Sequence, residues 1–166
     1  MNFFWLDASA GIKRYVVEGG SPLINHLFAR VPLDKMFCLL EGVGEIISII
    51  VRIRNRGKIT IAGFNQAKQL FDNEIIHRNE VQLVLATEDQ ITDSWDLIEK
   101  HFINSTDAIL LQCALDRVNE LRIEGDNLVL VSSDKRLIRA AQSEGLLIFN
   151  PETNSQAALD VLIDPP

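Results

Sequence analysis

The sequence is poor in the residues that bind soft metals: it has two cysteines and three histidines in 166 positions. Cys38 and Cys113 lie far apart in apolar surroundings, which reads as two buried free thiols in a reducing compartment rather than a disulfide. His26, His77 and His101 show no HxxxH or Cys/His spacing, so a zinc site has no donors to rest on. No apolar run reaches the roughly 18 residues that a spanning helix needs. Met1-Asn2 leads at once into a strand-like segment, with no basic n-region or small-residue cleavage site. No export signal or membrane partner is therefore expected, and the reading is a soluble cytoplasmic protein. Positive charge is also short, with 16 Lys and Arg against 23 Asp and Glu for a net −7. That argues against general affinity for nucleic acid but leaves room for a local basic strip.

What is present is an ordinary globular composition, 47% hydrophobic and 23% charged, in a chain of single-domain size. Short apolar runs at 2–6, 36–40, 81–85, 127–131 and 146–149 read as strands. Helical spacing covers 7–17, 21–28, 41–55, 60–76, 87–100, 106–119 and 133–143, with Pro22 at a first helical position and Thr87 as a cap. Gly19-Gly20, Gly57 and Gly145 supply stops. The last fifteen residues hold one short helix at most. Strands alternate with helices and no two-residue hairpin joins them, which predicts an α/β fold with helices on both faces of a parallel sheet.

Four acids stand at junctions of this pattern: Asp7, Glu45, Asp107 and Asp134. In an open parallel sheet the strand ends and the starts of the following helices gather on one edge, where ligands bind. Carboxylates distant in sequence then meet, and such a cluster suits hard divalent cations. Each acid also has a plainer explanation. Asp7, Asp107 and Asp134 fit helix N-termini, whose free N–H groups favour carboxylates. Yet Ser105, Thr106, Ser132 and Ser133 are equally good caps, which leaves the carboxylates at 107 and 134 surplus to capping. Glu45 falls on the helical stripe of Glu41, Ser48 and Arg52, opposite Val43, Ile46, Ile47 and Ile50, so periodicity alone places it in solvent. Arg52, Arg54, Arg56 and Lys58 form the main basic run. They either complement a helix C-terminus or make a phosphate-contacting strip, to which Lys13, Arg14, Lys135 and Arg136 could add.

The stretch from Trp5-Leu6-Asp7-Ala8-Ser9-Ala10 to Glu18 resembles the opening of PIN domains, including VapC-type toxins. Glu45 to Arg52 is similar to that family's second acidic motif. Ser105-Thr106-Asp107-Ala108-Ile109-Leu110 resembles its third, and Val131-Ser132-Ser133-Asp134-Lys135-Arg136-Leu137 its fourth. Leu110 departs from the His or Tyr frequent there, and 56–104 matches no motif. The resemblance spans residues 2–151. It implies a PIN-like domain over 1–151, a tail over 152–166, and a three-layer α/β/α sandwich around five parallel strands. It also places Glu45 in the pocket, against the wheel.

The resemblance further implies a Mg²⁺- or Mn²⁺-dependent endoribonuclease, with Asp7, Glu45, Asp107 and Asp134 as metal ligands and Ser9 orienting an acid or contacting phosphate. A small antitoxin protein and a homodimer are the implied partners. The alternative is a catalytically silent PIN-like module that binds RNA or protein. Other folds fit poorly. A phospho-receiver domain needs an acceptor Asp where this chain has Ala86-Thr87. A haloacid-dehalogenase phosphatase needs an acid where it has Ser9. A Rossmann site needs more glycines than Gly11 after the first strand.

Overall fold

A computed structural model describes residues 1–78 and 80–165. Five strands, β1 (Asn2–Leu6), β2 (Met36–Leu39), β3 (Gln82–Val84), β4 (Asn127–Val131) and β5 (Leu147–Phe149), form one parallel sheet in the order β3-β2-β1-β4-β5. Alternate residues of the central strands go to opposite faces. Phe4, Leu6, Met36, Cys38, Val129 and Val131 enter one apolar cluster; Trp5, Phe37, Leu39, Leu128 and Leu130 enter the other. Burial on both faces explains why these strands read as continuous apolar runs rather than alternating ones.

Helices α1 (Ala8–Gly11), α2 (Ser21–Arg30), α3 (Leu40–Asn55) and α4 (Ile61–Phe71) contribute to the first cluster. Helices α5 (Glu88–His101), α6 (Ser105–Ile123) and α7 (Lys135–Ser143) contribute to the second. The result is the three-layer sandwich with a five-stranded parallel sheet that the sequence predicts. Among the described residues no helix is long and apolar enough to cross a membrane. Both cysteines are buried and free.

Several elements differ from their sequence expectation. The helix anticipated over 7–17 is only α1, followed by a 3₁₀ turn at Ile12–Arg14 that buries Lys13. Lys13 Nζ pairs with Glu18 (3.1 Å) and Glu152 (2.7 Å), and Arg14 makes a two-pronged pair with Glu74. Lys13 is buried and adds nothing to a surface basic strip, while Arg14 is tied to Glu74 and remains partly exposed. The segment after α4 widens into a π-helix at Asp72–His77, which buries Glu74 where Arg14 meets it. At the C-terminus, α8 (Gln156–Ile163) packs on α2 and inserts Leu159 into the first cluster. Asn2 Nδ2 donates to the carbonyl of Leu162 (2.8 Å), and Gly20 lies so close to Pro151 that a Cβ there would stand 2.6 Å from its carbonyl oxygen.

β1 sits between β2 and β4, so the chain leaves it on one side through β2 and β3 and returns on the other through β4. The switch falls between the carboxyl ends of β1 and β4, the edge at which open parallel sheets hold ligands.

Candidate functional site

Asp7 follows β1 directly. It is buried and caps α1, with Oδ2 accepting from the amide of Ser9 (3.3 Å), the hydroxyl of Ser9 and the hydroxyl of Ser132 (2.8 Å). Burial raises its pKa, against the pull of these hydrogen bonds. Ser132 and Asp134 follow β4, which pairs with β1 in register from Asn2↔Asn127 to Leu6↔Val131. That register sets the two strand ends side by side.

Asp134 is itself the N-cap of α7, its Oδ1 accepting from the amides of Arg136 (2.7 Å) and Leu137 (3.2 Å). The expectation that Ser132 or Ser133 would cap this helix fails. The Ser132 hydroxyl is instead turned into the sheet edge toward Asp7, the Ser133 hydroxyl meets no partner among the described residues, and Asp134 itself supplies the cap. Asp107 is not wholly surplus to capping either. Asn104 is the N-cap of α6, and its side chain both accepts from the Asp107 amide (2.8 Å) and donates to Asp107 Oδ2 (2.7 Å).

Glu45 projects from α3 and is exposed, as its helical position predicts. The helix nonetheless packs on α1, where Gly11 opposes the buried Ile46. Partial desolvation, then the charge of Asp7, raises the Glu45 pKa, while Arg52 opposes the shift. Burial pushes the Asp107 carboxyl up to about 7, reinforced by the charges of Asp7, Asp134 and Glu45 and opposed by Arg136. Cys38, beneath this edge, is pushed up to about 12 by burial and then by Asp7 and Glu45. Asp107 therefore lies within the electrostatic reach of the other three acids, and Glu45 within that of Asp7. They do not form a closed cage: among the described residues no three His, Cys, Asp or Glu side chains stand close enough to hold a metal ion.

The basic run is exposed but divided. Arg52 is near Glu45, and the Arg54 guanidinium lies 4.8 Å over the ring of Phe64 on α4. Lys58 borders a cleft of about 480 Å³ with Arg14, Tyr15, Val17 and Gln66, which includes none of the four acids. Lys135 and Arg136 are exposed at the start of α7.

Ser132 is the residue whose part in this edge sequence reasoning did not find. It is fully buried, and its hydroxyl links Asp7 to the amide of Asp134 (3.0 Å). The only signal in the sequence is a polar residue closing an apolar strand.

No protein-family model and no curated protein matches the chain by sequence. Solved structures match by shape. PAE2754 from Pyrobaculum aerophilum superposes with a TM-score of 0.63 at 14% identity, covering 97% of this chain and 99% of that one. FitAB bound to an IR36 DNA fragment gives 0.66 at 11% identity, covering 92% and 98%. VapC20 of Mycobacterium tuberculosis, a toxin that cleaves the sarcin–ricin loop, gives 0.58 at 15% identity, covering 82% and 94%. The fold of this chain is that of PIN-domain, VapC-like proteins.

Proposed function

We propose that the protein is a metal-dependent endoribonuclease and the toxin of a toxin–antitoxin pair, with Mg²⁺ or Mn²⁺ held by Asp7, Glu45, Asp107 and Asp134. The observation that carries this reading is the state of Asp107, pushed up to about 7 by burial first and then by the charges of Asp7, Asp134 and Glu45. A divalent cation relieves such pressure, and an all-carboxylate donor set suits a hard one. Asp134 Oδ2 accepts no hydrogen bond among the described residues, which leaves this acid an oxygen to give. The orphaned hydroxyl of Ser133, buried between Ser132 and Asp134, also fits a site that receives something polar.

When bound, the cation supplies a lowered pKa to water and positive charge beside a phosphate. The remaining work belongs to the chain. Ser9 holds Asp7 in place, Arg136 lies beside Asp107, and Arg52 flanks Glu45. Arg52, Arg54, Arg56 and Lys58 contact backbone phosphates and compensate for the net negative charge of the protein. In the hydrolysis, water oxygen bonds to phosphorus as the bond to the 3′-oxygen breaks. The departing oxygen takes a proton, leaving a 3′-hydroxyl and a 5′-phosphate. The likeness to the VapC20 toxin and to FitAB supports an antitoxin partner as well; we extend the proposal to a small antitoxin that covers the acidic edge and to a homodimer of the chain.

The silent-module alternative has one observation in its favour, that the acids are not already drawn together. The deciding experiment is cleavage of an RNA panel with Mn²⁺, with EDTA controls, by the wild type and by Asp7→Asn/Asp107→Asn. Loss of all Mn²⁺-dependent cleavage in the variant is expected. RNA that binds but stays intact with wild-type protein and Mn²⁺ would favour the silent module. Asp7→Asn keeps a good capping residue, so its metal-free stability should hold or rise, whereas loss of the cap would cost about 1 kcal/mol.

A further inference from the structure

We infer that Phe102 is a stacking residue for an unpaired base of the RNA substrate. The inference rests on the nuclease reading above for the identity of that substrate. It goes further in naming a residue outside the acidic set and a single-stranded target.

Phe102 combines two features that seldom occur together. Its side chain is 85% exposed, and its backbone takes φ 56° and ψ 39°, in the left-handed region. Among the described residues it is the only one besides glycine with a positive φ. It closes α5 in that conformation, its amide donating to the carbonyl of Ile98 at 2.9 Å. Helices α3, α6 and α7 are each followed within two residues by a positive-φ glycine, at Gly57, Gly125 and Gly145. A bulky side chain at such a position strains the backbone, and here the ring recovers nothing by burial. Strain of this kind collects where a side chain serves a ligand.

The place of Phe102 in the chain says which ligand. Asn104, two residues on, caps α6 and donates to Asp107 Oδ2 at 2.7 Å. The Cα atoms of Phe102 and Asn104 are therefore no more than about 7 Å apart. Arg136 adds positive charge beside Asp107. A strand whose phosphate lies at these acids brings a neighbouring base to the ring. The chain carries a net charge of −7, so phosphate contacts alone attract RNA weakly. Stacking needs no charge, and an open aromatic face gains about tenfold in affinity from one unpaired base of any kind. A duplex, whose bases already stack on one another, offers the ring nothing.

The test measures binding of a fluorescein-labelled RNA single strand of about 12 nucleotides, and of its duplex, to the full chain in EDTA. Phe102→Leu should bind the single strand about tenfold more weakly with the salt slope of wild type, and Phe102→Trp should match wild type or exceed it. Phe102→Gly should lose the same affinity while its melting temperature rises, because glycine removes the backbone strain. A merely structural role would lower the melting temperature and leave RNA affinity alone. Duplex affinity should stay the same in every variant. Wild-type affinity for the single strand in Phe102→Leu or Phe102→Gly overturns the inference and leaves the exposed ring to a protein partner. An equal loss on the duplex, or wild-type protein that binds no single strand, overturns it too. The nuclease reading fails separately, when wild type with Mn²⁺ leaves every RNA intact; tenfold weaker binding by Phe102→Leu would still uphold the stacking role.

Discussion

Gly11 on α1 faces Ile46 on α3 so closely that a Cβ at position 11 would stand 2.9 Å from the Ile46 Cδ1. This contact seats α3, and so Glu45, beside the helix that Asp7 caps. Gly11→Ala gains about 1 kcal/mol of helix propensity and loses about 1–3 to crowding of a buried methyl. Its unfolding free energy should stay within about 2 kcal/mol of wild type. Mn²⁺ affinity, measured by calorimetry, should stay near the wild-type value, because the crowded atom is the tip of the Ile46 side chain, which can turn aside without moving α3. A marked fall in affinity in a folded Gly11→Ala protein would show instead that α3 shifts and that the seat of Glu45 matters to the ligand set.

The charge pressure on Asp107 has a consequence for stability against pH. An unfolded Asp titrates near 3.8, whereas here the carboxyl is pushed up to about 7 by burial and by its acidic neighbours. Between those values the folded chain binds more protons than the unfolded one, so stability falls as pH rises through that window and levels off above it. Asp7 and Glu45 shift in the same direction and deepen the fall. Melting temperatures in EDTA should therefore decrease from about pH 5 to 7.5, and Asp107→Asn should flatten the trend. Adding Mn²⁺ should stabilise most at the alkaline end, where its ligands are ionised. A rising or flat wild-type profile in EDTA would contradict the clustering.

Arg14 and Glu74 test whether the opening of the chain serves structure or RNA. Glu74 is buried, and Arg14 meets it at 2.6 and 3.1 Å while also donating to Asn25 and lying over Phe28. Arg14→Ala strands a buried carboxylate and should cost about 3 kcal/mol or more in urea unfolding. Arg14→Met with Glu74→Met should recover much of that loss. RNA affinity of the folded variants should be unchanged, since the guanidinium is committed to Glu74 and Asn25; a fall in affinity would place the cleft it shares with Lys58 on the RNA path.

The basic residues of α3 divide by the same measurement. Arg52→Ala should leave stability within about 0.5 kcal/mol, as expected of an exposed side chain. It should also reduce the slope of log affinity for single-stranded RNA against log salt by about 0.7, the loss of one phosphate contact. Arg54→Ala should in addition lose about 0.5–1 kcal/mol of stability, because its guanidinium lies over Phe64. An unchanged salt slope in both variants would exclude this helix from the RNA path.

Much of the fold was legible because it rests on local chemistry. Strands buried on both faces are written as apolar runs, and β1 and β4 appear with the expected bounds. Thr87 was readable as a cap, and it forms a full capping box with Gln90. The acids were visible at the junctions, because a carboxylate beside a helix start is a local pattern. Ser132 was not, since a serine ending a strand and a serine serving a buried carboxylate look alike until the partner 125 residues away is known.

The sequence by itself determined the alternation of strands and helices, the layers they make, and the presence of carboxylates where strands give way to helices. These follow from side-chain periodicity and from the needs of helix ends, which act over a few residues. Only the tertiary structure decided that Asp134 rather than a serine caps α7, that Lys13 and Arg14 are spent on internal pairs, and that an exposed Glu45 feels the charge of Asp7. Those outcomes depend on setting β1 between β2 and β4 and α1 against α3. Electrostatic and hydrogen-bonding partners are chosen by distance in space, and no periodicity along the chain encodes it.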